Sequence, residues 1–168
     1  MKELHTPIGE EEINQLSVGD MVYISGDIFA GRDAVLPQLV KAFENGDNLT
    51  NQINLEGGVV FHTAVSQAGV GPTSSNKLEI EGSIVPLSHY GIRIHLGKGK
   101  ISAKTIQKIK KEGAVFAVIP PVTALLESKI LNKKIVAFPE EGMEALHLLS
   151  VDKFPAIIAA AKGKSIYD

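Results

Sequence analysis

Residues 92–119 read IRIHLGKGKISAKTIQKIKKEGAVFAVI, and they decide the fold class. Ile92 to Leu96 is a short run of β-formers that stops at Gly97-Lys98-Gly99-Lys100. Ser102 then suits a helix cap. Ile101 and Ile106 stand at the hydrophobic-staple positions, and Gly113 suits the C-terminal stop. Ala114 to Ile119 is a continuous apolar run of the kind found in buried strands. Strand, helix and strand joined by short connections are the unit of an α/β chain.

Upstream, Met21-Val22-Tyr23-Ile24 reads as a short strand. A helix follows that should begin around Arg32–Ala34, because Pro37 is tolerated only near the first turn. Its apolar face is Val35, Leu36, Leu39, Val40 and Phe43, and Gly46 supplies its stop. Polar Gly46 to Glu56 reads as a loop, and Val59 to Thr63 as the next strand. Gly69 to Ser75 reads as a turn ending in hydroxyl residues suited to capping a helix. That helix carries Ile80, Ile84 and Leu87, and Gly82 weakens it by about 1 kcal/mol relative to Ala. Downstream, Pro120-Pro121 opens a short helix through Leu131, and Lys133 to Phe138 is a strand. Ala145 to Val151 and Ala156 to Ala161 complete the pattern as two final strands. No repeat or linker interrupts it. The expectation is one α/β domain over residues 1–168 with a mixed sheet.

The 168 residues carry 17 Lys and Arg against 19 Asp and Glu, a net charge of −2. That balance gives no basic face for nucleic acid. The chain contains no Trp, so stacking platforms for single strands are few as well. It has no cysteine, hence no disulfide and no thiolate for zinc or an iron–sulfur cluster. The polar start and the lack of a roughly 20-residue apolar span predict a soluble, cytoplasmic protein without a membrane segment.

Polar residues collect beside glycines or strand ends at four places, where binding residues tend to gather. They are Gly31-Arg32-Asp33, His62-Thr63, the run Gly71 to Lys77, and Gly97 to Lys100. Three of them precede helices, whose N-termini favour anions, so a flanking Arg or Lys there suits a carboxylate or phosphate. Each also has a plainer reading. Arg32-Asp33 can be a surface pair with a cap, Thr73-Ser74-Ser75 only a helix cap, and Lys98 and Lys100 solvated turn lysines. Gly97 to Lys100 lacks the spacer and final hydroxyl of a P-loop. Gly69 to Ser74 lacks the third glycine of a dinucleotide fingerprint. The histidines show no HExxH spacing, and there is no G-x-S-x-G elbow. Glu140-Glu141 reads as a solvated loop.

In order along the chain, Gly31-Arg32-Asp33-Ala34, the run Gly71 to Lys77 and Gly97-Lys98-Gly99-Lys100 resemble the β subunit, or C-terminal domain, of the class I iron–sulfur hydro-lyases, fumarate hydratase and L-tartrate dehydratase. His5-Thr6-Pro7-Ile8, the strand Gly19 to Gly26, Lys111 to Val115, Gly142-Met143-Glu144-Ala145-Leu146 and Phe154-Pro155-Ala156 extend the resemblance over nearly the whole chain. It implies a swivelling β/β/α domain with a mixed central sheet. It also implies a cysteine-bearing α subunit holding a [4Fe–4S] cluster, in a hetero-oligomer that reversibly dehydrates a 2-hydroxy dicarboxylate. By the same resemblance Arg32, Lys77 and Lys98 bind substrate and Thr73 is the proposed base. Such a reaction needs cations for enolate-like charge and a Lewis acid on the leaving hydroxyl. This chain offers the cations and no soft metal ligand.

Lys77 stands where the family usually has arginine, a point charge in place of a bidentate fork. Leu36, Ala64-Val65 and Pro120-Pro121-Val122 also depart from the family pattern. The alternative expectation is a non-catalytic swivelling module that binds an anion or stabilises a partner.

Overall fold

In the computed structural model, which describes the backbone of residues 2–66, 69–73, 77–120 and 123–168 and the side chains of these except 66, 69–73, 77–80, 123 and 124, the quoted segment folds as expected. β5 (Ile94–Gly97) leads to α4 (Ala103–Glu112) and on to β6 (Val115–Val118), which lies parallel to β5. Ser102 Oγ accepts the Thr105 amide at 3.2 Å, and Gly113 closes the helix at φ 75°. That conformation is open to glycine at no steric cost. Ser102→Ala is expected to cost about 1 kcal/mol in denaturant unfolding, since the cap satisfies an otherwise unpaired helix N–H.

The other parallel strands are β1 (Lys2–His5), β2 (Met21–Gly31) and β3 (Val59–Ser66). Parallel pairing runs β1–β2–β3–β5–β6. The long β8 (Leu146–Ala161) then pairs antiparallel with both β6 and β2, so β2, β3, β5, β6 and β8 close into a barrel-like ring. β7 (Ile130–Ala137) and the short β9 (Lys164–Ser165) add antiparallel to β8. The sheet is mixed and the class is α/β.

Alternation along the strands sorts side chains into layers. Ile24, Ile28, Val59, Phe61, Ile94, Leu96, Val115 and Ala117 fill the ring's interior. Phe29 and Val60 point outward to α2 (Leu36–Asn45) and α3 (Lys77–His89), while Phe116 meets α4. α2 buries Leu36, Leu39, Val40 and Ala42 and ends at Gly46 with Pro37 in its first turn, as the sequence predicts, but it begins at Leu36 and not at 32–34, because residues 33–35 form the turn that leads into it.

The sequence reading assigns no element before Met21, where the structure has β1 and a short helix α1 (Glu10–Asn14), and four further elements differ from it. β2 does not stop at Ile24 but runs to Gly31. A register shift at Gly26 carries it past the polar Gly26-Asp27 pair. Gly26 adopts φ 106° and packs so close to Thr6 that a Cβ would collide with its hydroxyl. Gly69 to Thr73 is no turn: it forms β4, which pairs antiparallel with β3. Among the described residues β4 pairs with β3 alone, and such an edge strand tolerates Pro72.

The short helix α5 spans Thr123–Ser128, and β7 already begins at Ile130. The two expected final strands are one. β8 continues through Asp152-Lys153 because Lys153 takes a left-handed φ of 52° and donates its amide to Ser25 Oγ at 2.9 Å. Pro155 falls where β7 has ended and β6 has not begun, so it is paired with β2 alone. The cap expected at Ser74-Ser75 and the helix opening at Pro121 lie outside the described residues. No helix among the described residues is long and apolar enough to cross a membrane.

Candidate functional site

Strand register assembles the site. Gly31 of β2 pairs with His62 of β3, so Arg32 stands level with Thr63. Phe61 pairs with Leu96 of β5, so Lys98 stands level with Thr63 on the other side. Thr63 itself pairs with Thr73 of β4. Arg32, Thr63 with Thr73, and Lys98 therefore form one row across the C-terminal ends of adjacent parallel strands. Arg32 and Lys98 each lie one residue past the end of their strands, at Gly31 and Gly97, while Thr73 takes one ladder edge of Thr63. The carboxyl ends of parallel strands are where α/β sheets bind ligands, whether open or closed into a barrel. Lys77 is the first residue of α3, four positions after Thr73. The structure thus brings three of the four sequence-chosen residues to one row and sets the fourth at the start of the following helix.

Arg32 begins the turn into α2, and its carbonyl accepts the amides of Val35 and Leu36. Its Nε donates to Glu144 Oε1 at 2.8 Å, and both side chains are partly exposed. Lys98 lies exposed in the Gly97–Lys100 turn. That turn is anchored from α3: Glu81 Oε1 accepts from the Ser102 amide at 2.9 Å, Ser102 Oγ at 2.6 Å and Thr105 Oγ1 at 2.5 Å. One carboxylate oxygen therefore fixes the start of α4 and with it the end of the lysine turn.

Behind the row, on the helix side of the sheet, lies a buried polar chain. Ser88 Oγ donates to the Ile84 carbonyl at 2.7 Å. It therefore accepts from His95 Nε2–H at 2.8 Å. His95 Nδ1 is then unprotonated and accepts from His62 Nε2–H at 3.2 Å. The network assigns both tautomers. Burial pushes His62 down to about 4. It holds His95 well below its ordinary value too, with the nearby His62 and Arg93 adding to the effect. Both rings are neutral at pH 7, so they act as spacers and hydrogen-bond partners, not as cations.

A depression of about 390 Å³, bounded by Val65, Lys133, Ile135, Met143 and His147, adjoins the turn that carries Glu144. A larger one, about 450 Å³, is lined instead by His5, Asp27 and Glu56 and lies away from the row. Its carboxylates carry the wrong sign for a diacid, so the chemistry follows the row and not the bigger cavity. Among the described residues no group of three or more His, Cys, Asp or Glu is arranged to hold a metal. With no cysteine in the sequence, the donor set does not fit a thiolate-bound cluster.

Sequence reasoning passed over Glu81, Glu144 as Arg32's partner, and the His62–His95 contact. Glu144 left a trace inside the Gly142 to Leu146 motif and His62 in the His62-Thr63 pair, but neither signal reached its partner.

The family model described as the fumarase C-terminus matches residues 2–168. Fumarate hydratase 2 of Leishmania major is 29% identical over 177 residues, covering 98% of this chain and 31% of that protein. The putative L(+)-tartrate dehydratase subunit beta of Methanocaldococcus jannaschii is 25% identical over 183 residues, covering 100% and 92%. The L(+)-tartrate dehydratase subunit beta of Escherichia coli is 27% identical over 173 residues, covering 95% and 82%. The chain thus spans about a third of the fumarate hydratase and most of the length of the β subunits. It belongs to the fumarase C-terminal family.

Proposed function

We propose that this chain is the β component of an iron–sulfur hydro-lyase that reversibly dehydrates a 2-hydroxy dicarboxylate of the malate or tartrate class. The row of Arg32, Thr63 with Thr73, and Lys98 carries the reading. Two cations at the ends of the strands that neighbour a hydroxyl-bearing strand pair suit a short diacid whose carboxylates must be held apart and neutralised.

Loss of water breaks the C–O bond at the hydroxyl-bearing carbon and a C–H bond at its neighbour. The proton goes to a base, the C–H electron pair forms the double bond, and the hydroxyl leaves with the C–O pair and takes up a proton to depart as water. In this reading Thr73 oxygen takes the proton, while Arg32, Lys77 and Lys98 bind the carboxylates and stabilise the charge that builds on them. A threonine hydroxyl is a poor base near pH 7, and the neighbouring cations are what activate it. The [4Fe–4S] cluster of this reading supplies Lewis-acid help to the leaving hydroxyl, and a cysteine-bearing α subunit holds it, because this chain has no thiolate. The protein works as a cytoplasmic hetero-oligomer, and its domain swivels.

The test is anaerobic. Co-purified with its companion subunit, the chain should turn over fumarate, malate or tartrate, and the chain alone should turn over none of them. A complex inactive on every hydroxy diacid offered would remove the reading and favour the non-catalytic anion-binding or partner-stabilising module.

A further inference from the structure

The Arg32–Glu144 contact is a consequence of register between strands far apart in sequence. Ala30 of β2 pairs with His147 of β8, so continuing outward Arg32 comes level with Ala145 and beside Glu144. Glu144 sits at the end of a tight turn over Pro139–Glu144, between β7 and β8. The turn enters through Phe138 at φ 55° and bends at Gly142, φ 59° and ψ −119°. A left-handed aromatic residue is a genuine conformational outlier. Such outliers persist where the surroundings impose them, and they gather at functional sites. The turn thus delivers a carboxylate to the inner donor of the guanidinium, at 2.8 Å.

We propose that Glu144 is a positioning residue for Arg32: by accepting the Nε–H it fixes the plane of the guanidinium about its last torsion, and so the direction in which Arg32 meets a substrate carboxylate. This rests on the proposed function for the substrate's identity, but the positioning itself does not. The geometry matters because an arginine recognises a carboxylate through a planar fork, and a fork turned out of plane loses its bidentate match. Glu144 also brings a negative charge to the row. Its role as an orienting acceptor is therefore separable from a second one, that of a stand-in occupying Arg32 until substrate displaces it. The two make opposite predictions for affinity.

The experiment uses two readouts on Glu144→Ala and Glu144→Gln. In the isolated chain, the Arg32 Nε–H proton, followed by nuclear magnetic resonance, should exchange slowly in the parent and in Glu144→Gln, and fast in Glu144→Ala. In the complex, Glu144→Ala should raise KM for the diacid about tenfold with a smaller change in kcat, and Glu144→Gln should recover most of that loss, since its side-chain oxygen still accepts the bond. Slow exchange in Glu144→Ala overturns the proposal. So does a lowered or unchanged KM, which would make Glu144 a competitor or a bystander, and so does a Gln variant as impaired as Ala. A parent complex without diacid turnover removes the functional reading alone, because the exchange result still decides whether Glu144 holds the guanidinium.

Discussion

Replacing Thr73 with alanine is expected to lower kcat of the assembled complex by about 10²–10⁴-fold, the range of a general base, with KM nearly unchanged. The split follows from position. Arg32 and Lys98 follow the ends of β2 and β5, the two parallel neighbours of the β3 strand with which Thr73 pairs, so removing one hydroxyl should leave their carboxylate contacts in place. Arg32→Ala should do the reverse and act chiefly on KM. Thr73→Ser keeps the hydroxyl and should keep most of the activity. Both Thr73 variants alter a strand position, where side-chain preferences span about 1 kcal/mol, so neither should unfold the chain. Steady-state kinetics on the complex separate the cases. A fall in kcat of less than about tenfold for Thr73→Ala would take the base away from Thr73.

The second large effect is a loss of stability in acid that originates in the His62–His95 pair. Buried at 1% and 0% exposure, both rings are held neutral. His62 is pushed to about 4 in the folded chain, from 6.5. The unfolded chain binds a proton below pH 6.5 that the folded chain refuses until about pH 4, so stability is full above 6.5 and falls as pH drops through that window. At pH 5 the expected loss from His62 is about 2 kcal/mol. The charge facing the pair is Arg93, whose guanidinium donates to the carbonyls of Gly91, Ser88 and Glu112; Glu112 in turn pairs with His89 at the surface. A carboxylate able to compensate a protonated ring is not among these contacts. Denaturant unfolding at pH 7 and pH 5 measures the effect, with His62→Gln as the control. Glutamine can still donate to His95 but does not titrate, so the pH difference should shrink by about 2 kcal/mol. Equal slopes for parent and variant would mean that His62 is not the group responsible.

The central helix was legible in its own residues: Ser102, Ile101, Ile106 and Gly113 each mark α4 by local chemistry. Arg32 and Lys98 stood out as cations beside glycines ahead of helices, but Arg32's place at a strand end did not, because the sequence reads β2 as stopping at Ile24. Elements defined by partners were not legible. Gly26-Asp27 and Asp152-Lys153 look like breaks in isolation, yet β2 and β8 run through them because each is the other's long antiparallel neighbour. Gly69 to Thr73 has turn composition and becomes a strand through pairing with β3. In the site, Glu144 lies 112 residues from Arg32 and His95 lies 33 from His62. No periodicity or spacing rule reaches across such separations; strand register does.

The most direct test is an anaerobic crystal structure of the complex with a bound hydroxy diacid. Substrate carboxylate oxygens are expected within about 3 Å of the Arg32 guanidinium and the Lys98 ammonium, with all metal-bound groups on the companion subunit. A diacid held entirely by companion residues, with Arg32 and Lys98 facing solvent, would contradict the proposed function.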